Sequence, residues 1–135
     1  TSEEKDIVDS IDKLFRVLHM CDEIDVDVFP AALCEGVRIV PLFSWYNAEF
    51  DESDPFPTER YCFDKYCKWP FDRNHELWRF MLYLNSSSVK VPWDGVTITM
   101  SHFLPRQGLP FWTHIAGLAK AVGCLELDAQ VRQAG

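Results

Sequence analysis

Long apolar runs, a basic charge excess and glycine-rich loops are all missing from this sequence, and each absence excludes a class of protein. No apolar segment is long enough to cross a bilayer, so we expect no membrane-spanning helix. The formal net charge is −8, and without a basic stripe a nucleic-acid partner is not expected. Neither a glycine-rich phosphate loop nor a nucleophile elbow occurs.

A disulfide framework and a signal peptide are also missing. The five cysteines are odd in number and irregular in spacing, a pattern typical of reduced thiols. The first residues show no charged segment followed by an apolar one. We therefore expect an intracellular location, in the cytoplasm or inside an organelle after removal of a leader.

What is present is typical of one folded domain with a substantial core. The chain has 135 residues, of which 47% are hydrophobic and 14% aromatic. This length and composition predict a single domain over residues 1–135 and exclude a disordered tail.

Hydrophobic periodicity predicts helices that alternate with strands. Helices are predicted over residues 3–21, 74–85, 111–122 and 125–133. Strands are predicted over 37–43 and 95–101, with a shorter one over 25–29. This order indicates an α/β fold, in which Trp45 and Tyr46 pack in the interior. Because so few strands make a poor independent sheet, we expect part of the sheet's surroundings to lie outside the chain.

His102 directly follows the predicted strand 95–101 and is a candidate metal ligand. Ligands bind at the ends of strands in open α/β sheets, and an imidazole nitrogen is a common metal ligand. Judged by its position alone, however, His102 is better explained as a polar residue that is exposed to water where the strand ends.

Other patterns that resemble metal motifs are better explained by structure. The Asn-His-Glu stretch at 74–76 fits a helix start, with Asn74 as the N-cap. Cys62 and Cys67 have no second pair to complete a zinc site. His19 and His114 are single histidines on predicted helices. The acidic loop predicted over 47–60 is long enough for a docking role, although a solvated loop is the simpler interpretation.

Several segments become distinctive when they are taken together and in order. They are EGVRIVPLFSWY at 35–46 followed by Phe50 and Asp51, CKWP at 67–70, SHFLPRQ at 101–107, and the stretch 122–132. In this order they resemble the calcineurin-like metallophosphoesterases, and the similarity extends over about residues 10–132.

The resemblance implies a four-layer α/β/β/α sandwich with a dinuclear centre of divalent iron, manganese or zinc. Such a centre activates water against a phosphate ester and clamps the attacking and leaving oxygens. By the same resemblance, His102 falls on the family's single-histidine metal motif, which precedes its final histidine pair.

The chain departs from the family at most of the metal motifs. The Asp-x-His, Gly-Asp-x-x-Asp and Gly-Asn-His-Asp/Glu motifs belong before the matching segment and the Gly-His-x-His motif after it, and none is present. Asn47 also stands where the family pattern has histidine. A transition-metal site normally needs at least three protein ligands, so this chain alone is predicted to hold no metal and to be inactive.

Two main hypotheses follow from this partial match, and a free-standing small binding module is a third, less favoured one. The chain is either a fragment of a metallophosphoesterase, active only when missing segments complete it, or a phosphatase-derived structural subunit without catalysis. Both require a partner, which is another protein chain or the rest of the same domain.

Overall fold

The computed structural model of the protein describes residues 7–47, 49–50, 66–72, 76–110 and 121–135. Its helices are α1 (Ser10–Glu23), α2 (Leu77–Leu84) and α3 (Leu127–Ala134), and its strands are β1 (Ala31–Cys34), β2 (Val37–Leu42) and β3 (Val96–Ser101). The fold is therefore mixed α/β, as the sequence predicts.

The three strands form one sheet in the order β1-β2-β3. β1 and β2 are antiparallel and are joined by a tight turn in which Gly36 has a φ of 71°. β2 and β3 are parallel, with Val37 opposite Val96 and Leu42 opposite Ser101. Gly95 enters β3 so close to the Gly36 carbonyl that a Cβ at this position would overlap it.

The strands 37–43 and 95–101 are confirmed to within a residue, but the predicted strand 25–29 is wrong. The chain leaves α1 through Ile24 and Asp25, and Asp25 has a positive φ of 59° that an extended strand does not allow. The first strand lies further on, at Ala31–Cys34, where it pairs with β2.

The helix starts also differ from the sequence prediction. α1 begins at Ser10 rather than near residue 3, because Asp9 is the N-cap and its carboxylate accepts from Ile11 N and Asp12 N. Residues 7–9 lie before the helix, and residues 1–6 lie outside the described part.

α2 begins at Leu77, so the N-cap position is Glu76 and not Asn74, which lies outside the described part. Glu76 gives no side-chain cap; its carboxylate instead accepts from Asp72 N at 2.9 Å. The predicted last helix is confirmed as α3. Most of the predicted helix 111–122 lies outside the described residues, as does nearly all of the loop 47–60.

One face of the sheet is covered by helices. Val40 and Leu42 of β2 pack with Trp78 of α2 and Leu127 of α3 in one hydrophobic cluster. A second cluster joins α1 to the far side of α2, and Trp45 contacts both clusters. Tyr46 is buried and Trp45 half-buried, which confirms that this aromatic pair packs inward.

Asn85, at the end of α2, holds β2 to the helical layer. Its Oδ1 accepts from Phe43 N at 2.8 Å, and its Nδ2 donates to Phe43 O at 2.7 Å and to Gln130 Oε1 at 2.8 Å. The amide is almost fully buried, so these bonds satisfy it where water cannot.

The opposite face of the sheet is apolar and open; we call it the open sheet face. It consists of Val37, Ile39 and Pro41 on β2 and of Val96, Ile98 and Met100 on β3, which the parallel register places side by side. Val96, Ile98 and Met100 are 60%, 44% and 57% exposed. The threonines of β3, Thr97 and Thr99, turn to the covered face and are half-buried. Among the described residues, neither hydrophobic cluster covers the open sheet face, and α1 reaches it only where Leu18 lines a cleft with Pro41 and Met100.

Candidate functional site

His102 lies at the carboxyl end of β3, at the mouth of a cleft of about 400 Å³ that also contains Asp27 and Phe43. The turn that carries it is fixed by Ser101 Oγ, which donates to Phe103 O at 2.9 Å. Phe103 N donates to Ser44 Oγ at 3.2 Å, and the His102 and Phe103 rings meet edge to face at 4.8 Å. The imidazole itself is exposed.

The residues around His102 do not fit a dinuclear metal centre. No group of three or more histidine, cysteine, aspartate or glutamate side chains in the described part is placed to hold a metal ion. Of the residues that the structure describes, Asp27 is the one carboxylate that lines the cleft with His102. The donor set of the described residues is therefore short of even a mononuclear site.

The other residues considered from the sequence are not gathered with His102. His19 is exposed on α1 and lies 3.4 Å from Glu23 one turn further along. Cys67 is exposed, while Cys62, His75 and His114 lie outside the described residues, together with Asn74.

Asn47, which replaces the histidine of the family pattern, is buried in a polar cluster with Cys124 and Glu126. Its Nδ2 donates to Glu126 Oε2 at 2.9 Å and contacts Cys124 Sγ at 3.7 Å. Burial, with Glu126 next to the thiol, raises the pKa of Cys124 to about 12. Because the thiolate is the nucleophilic form, this cysteine is kept inert, and the cluster joins the end of β2 to the start of α3.

Arg106, in the SHFLPRQ segment, is engaged by α3. Its Nε lies 2.5 Å from Asp128 Oδ1, and Arg132 Nε lies 2.7 Å from Asp128 Oδ2. Arg132 first and Arg106 second hold the pKa of Asp128 below its ordinary value. The guanidinium of Arg106, which follows the end of β3, is therefore already paired with the carboxylate of Asp128.

Sequence reasoning missed Arg38, which is only 4% exposed on the covered face of β2. It donates from Nε to Thr97 Oγ1 at 3.1 Å, from Nη1 to Val91 O at 2.8 Å and from Nη2 to Ala134 O at 2.8 Å. The guanidinium also lies 5.7 Å from the centre of the Trp93 ring. The available signal was a single arginine inside the apolar run of β2.

Comparison of the chain with protein-family models, with curated proteins and with solved structures found no match. Within the described part, no helix is long and apolar enough to cross a membrane. The geometry thus offers two kinds of feature, polar clusters that join β-strands to helices and an apolar sheet face that is accessible for binding.

Proposed function

We propose that the chain is the middle-to-late part of a calcineurin-like metallophosphoesterase domain, and that it hydrolyses phosphate esters only when other segments supply the remaining metal ligands. The family assignment rests on the ordered segments at 35–46, 67–70, 101–107 and 122–132. The open sheet face is the structural observation that supports an incomplete domain.

The layering of an α/β/β/α sandwich accounts for this face. In such a sandwich each sheet has helices on one side and a second sheet on the other, about 10 Å away. The chain has helices on one side of its sheet and half-exposed valine, isoleucine and methionine on the other. Burying apolar surface contributes about 25 cal/mol per Å², so covering this face is favourable.

The proposed occupant of the open sheet face is the family's second sheet, carried by the rest of the domain or by another chain. A specific contact of this kind buries more than roughly 1,000 Å² in total. The net charge of −8 favours an occupant with a basic rim, because opposite charges speed the encounter.

The second candidate function is a phosphatase-derived structural subunit that performs no catalysis. It is favoured by the lack, within the described part, of a group of three metal-binding side chains that includes His102, and by the use of Asn47 in a structural cluster. In this case the partner covers the open sheet face but brings no metal ligands.

We expect the chain alone to show no hydrolysis of para-nitrophenyl phosphate with manganese, iron or zinc, because one histidine cannot hold two ions. His102→Ala should give the same background rate as the unaltered chain. For this test the chain is purified free of metal and one metal is then added back. Turnover under these conditions that His102→Ala abolishes would contradict the expectation. Activity that appears only when segments with the missing family motifs are added would support the metallophosphoesterase fragment over the structural subunit.

We expect the chain alone to self-associate through the open sheet face, with an oligomer fraction that rises with concentration. A charge at the centre of the face, as in Ile98→Lys, should shift the sedimentation velocity profile to monomer. Tyr83→Lys, at an exposed aromatic on α2, is the matched control and should leave the profile unchanged. A monomeric unaltered chain that unfolds cooperatively and is well protected from hydrogen exchange would refute the need for a partner.

A further inference from the structure

A groove of about 570 Å³ lies between the first half of α1 and the segment 66–69, away from the sheet. Its lining is mainly apolar and includes the rings of Trp45 and Trp69, which meet edge to face at 5.1 Å. Leu14 and Met81 also line it. None of its lining residues belongs to the open sheet face, so an occupant of the groove does not compete with one on the sheet.

The two walls of the groove are fixed to each other by a reciprocal pair of hydrogen bonds. Ser10 N donates to Lys68 O at 2.8 Å, and Lys68 N donates to Ser10 Oγ at 3.0 Å. The groove therefore exists before anything binds, which reduces the ordering that binding would require.

The described lining of the groove is basic, although the chain as a whole is acidic. Of the three lysines in the described part, Lys13 and Lys68 line it. Asp9 is the one carboxylate among the described lining residues; it is occupied as the N-cap of α1 and accepts from Ile11 N and Asp12 N at 2.9 Å each. Because the helix N-terminus offsets that negative charge, the two ammonium groups favour an anion.

The two tryptophans each bring an indole N–H into the wall of the groove. Trp45 Nε1 and Trp69 Nε1 are both buried and have no acceptor within the described residues. Because these two atoms are shielded from solvent and the rings are already in edge-to-face contact, an occupant of the groove contacts the rings rather than their N–H groups, and the N–H signals report its presence through the rings.

We propose that this groove binds a small molecule with an aromatic or alkyl body and a single carboxylate. The body packs against the Trp45 and Trp69 rings, and the carboxylate is held by Lys13 and Lys68. A volume of about 570 Å³ lies within the range of small-molecule pockets, roughly 300–1,000 Å³.

The test is a titration of the 135-residue chain with naphthalene-2-carboxylate, followed through the indole N–H signals in proton–nitrogen spectra. The indole signals of Trp45 and Trp69 are assigned with Trp→Phe variants. Both signals should shift during the titration and give the same dissociation constant. The signal of Trp93, which lies near Arg38, should not shift. The neutral naphthalene-2-carboxamide should bind about tenfold more weakly, since it lacks the charge-assisted contacts.

The double variant Lys13→Met, Lys68→Met should weaken binding of the carboxylate by about tenfold or more, and Lys90→Met, which is outside the groove, should not. All three lysines are exposed, so these variants leave the core intact. Equal affinity of the acid and the amide, or of the unaltered chain and the double variant, would overturn the proposal. So would tryptophan signals at 45 and 69 that stay fixed at millimolar ligand.

Discussion

Trp45→Ala is expected to lower the free energy of unfolding by about 3–5 kcal/mol, in the range of large-to-small substitutions in cores. Trp45 is the side chain that contacts both hydrophobic clusters, and its ring meets those of Tyr46, Trp69 and Phe103 within 6 Å, at 5.8, 5.1 and 5.3 Å. Its loss leaves a cavity where α1, α2 and the end of β2 meet. Urea unfolding followed by far-ultraviolet circular dichroism measures the change.

Trp45→Phe is the matched control for this cavity. A phenyl ring keeps much of the packing and removes the indole N–H, which is buried without an acceptor in the described part. We expect Trp45→Phe to cost less than half as much as Trp45→Ala. A loss below about 1 kcal/mol for Trp45→Ala, the size of a surface substitution, would show that Trp45 does not join the two clusters.

Arg38→Ala is expected to be comparably destabilising, by about 3–5 kcal/mol, because it removes a buried group on which several acceptors depend. The substitution removes the hydrogen-bond donor of three acceptors, which are Thr97 Oγ1, Val91 O and Ala134 O. Ala134 is the last residue of α3, so the cation also leaves the negative end of that helix. Urea unfolding gives the total effect, and hydrogen exchange within α3 gives the local one.

Arg38→Lys should recover only part of the loss, since one ammonium group cannot reproduce a planar fork that reaches three acceptors. Arg16→Ala, which breaks an exposed pair with Asp12 at 3.3 Å, should stay within about 0.5 kcal/mol of the unaltered chain. If Arg38→Ala behaved like Arg16→Ala, the arginine would not be the clamp between the sheet and α3.

The sequence predicts β2, β3 and α3 well because their periodic patterns are strong and local. It does not say which face of β3 is buried. The alternation of Ile98 with Thr97 and Thr99 shows that the strand has an apolar face and a polar face, but not which of them meets the helices. The apolar face would ordinarily be assigned to the core, yet the pairing of Thr97 with Arg38 and of Thr99 with Val40 turns the threonines inward. That outcome depends on contacts with α2 and α3, which no local pattern contains.

The candidate site shows the same limit. Position places His102 at a strand end, and the structure confirms that placement, but spacing cannot tell whether other ligands come near it. The groove could not be predicted at all. It depends on Ser10 meeting Lys68, which are 58 residues apart and belong to segments with no shared motif.

The parallel pairing of β2 with β3 has a consequence for how the chain reaches its folded state. Arg38 and Thr97, neighbours across this ladder, are 59 residues apart, whereas β1 and β2 are joined by a tight turn. Folding rates fall as the sequence separation of contacts rises, so the β1–β2 hairpin forms early and β3 joins late. On a ribosome that adds about 5–20 residues per second, the early hairpin waits for several seconds before residues 96–101 are made. During that interval the β2 edge that later pairs with β3 is unpaired, and an unpaired apolar edge is a template for pairing with another chain.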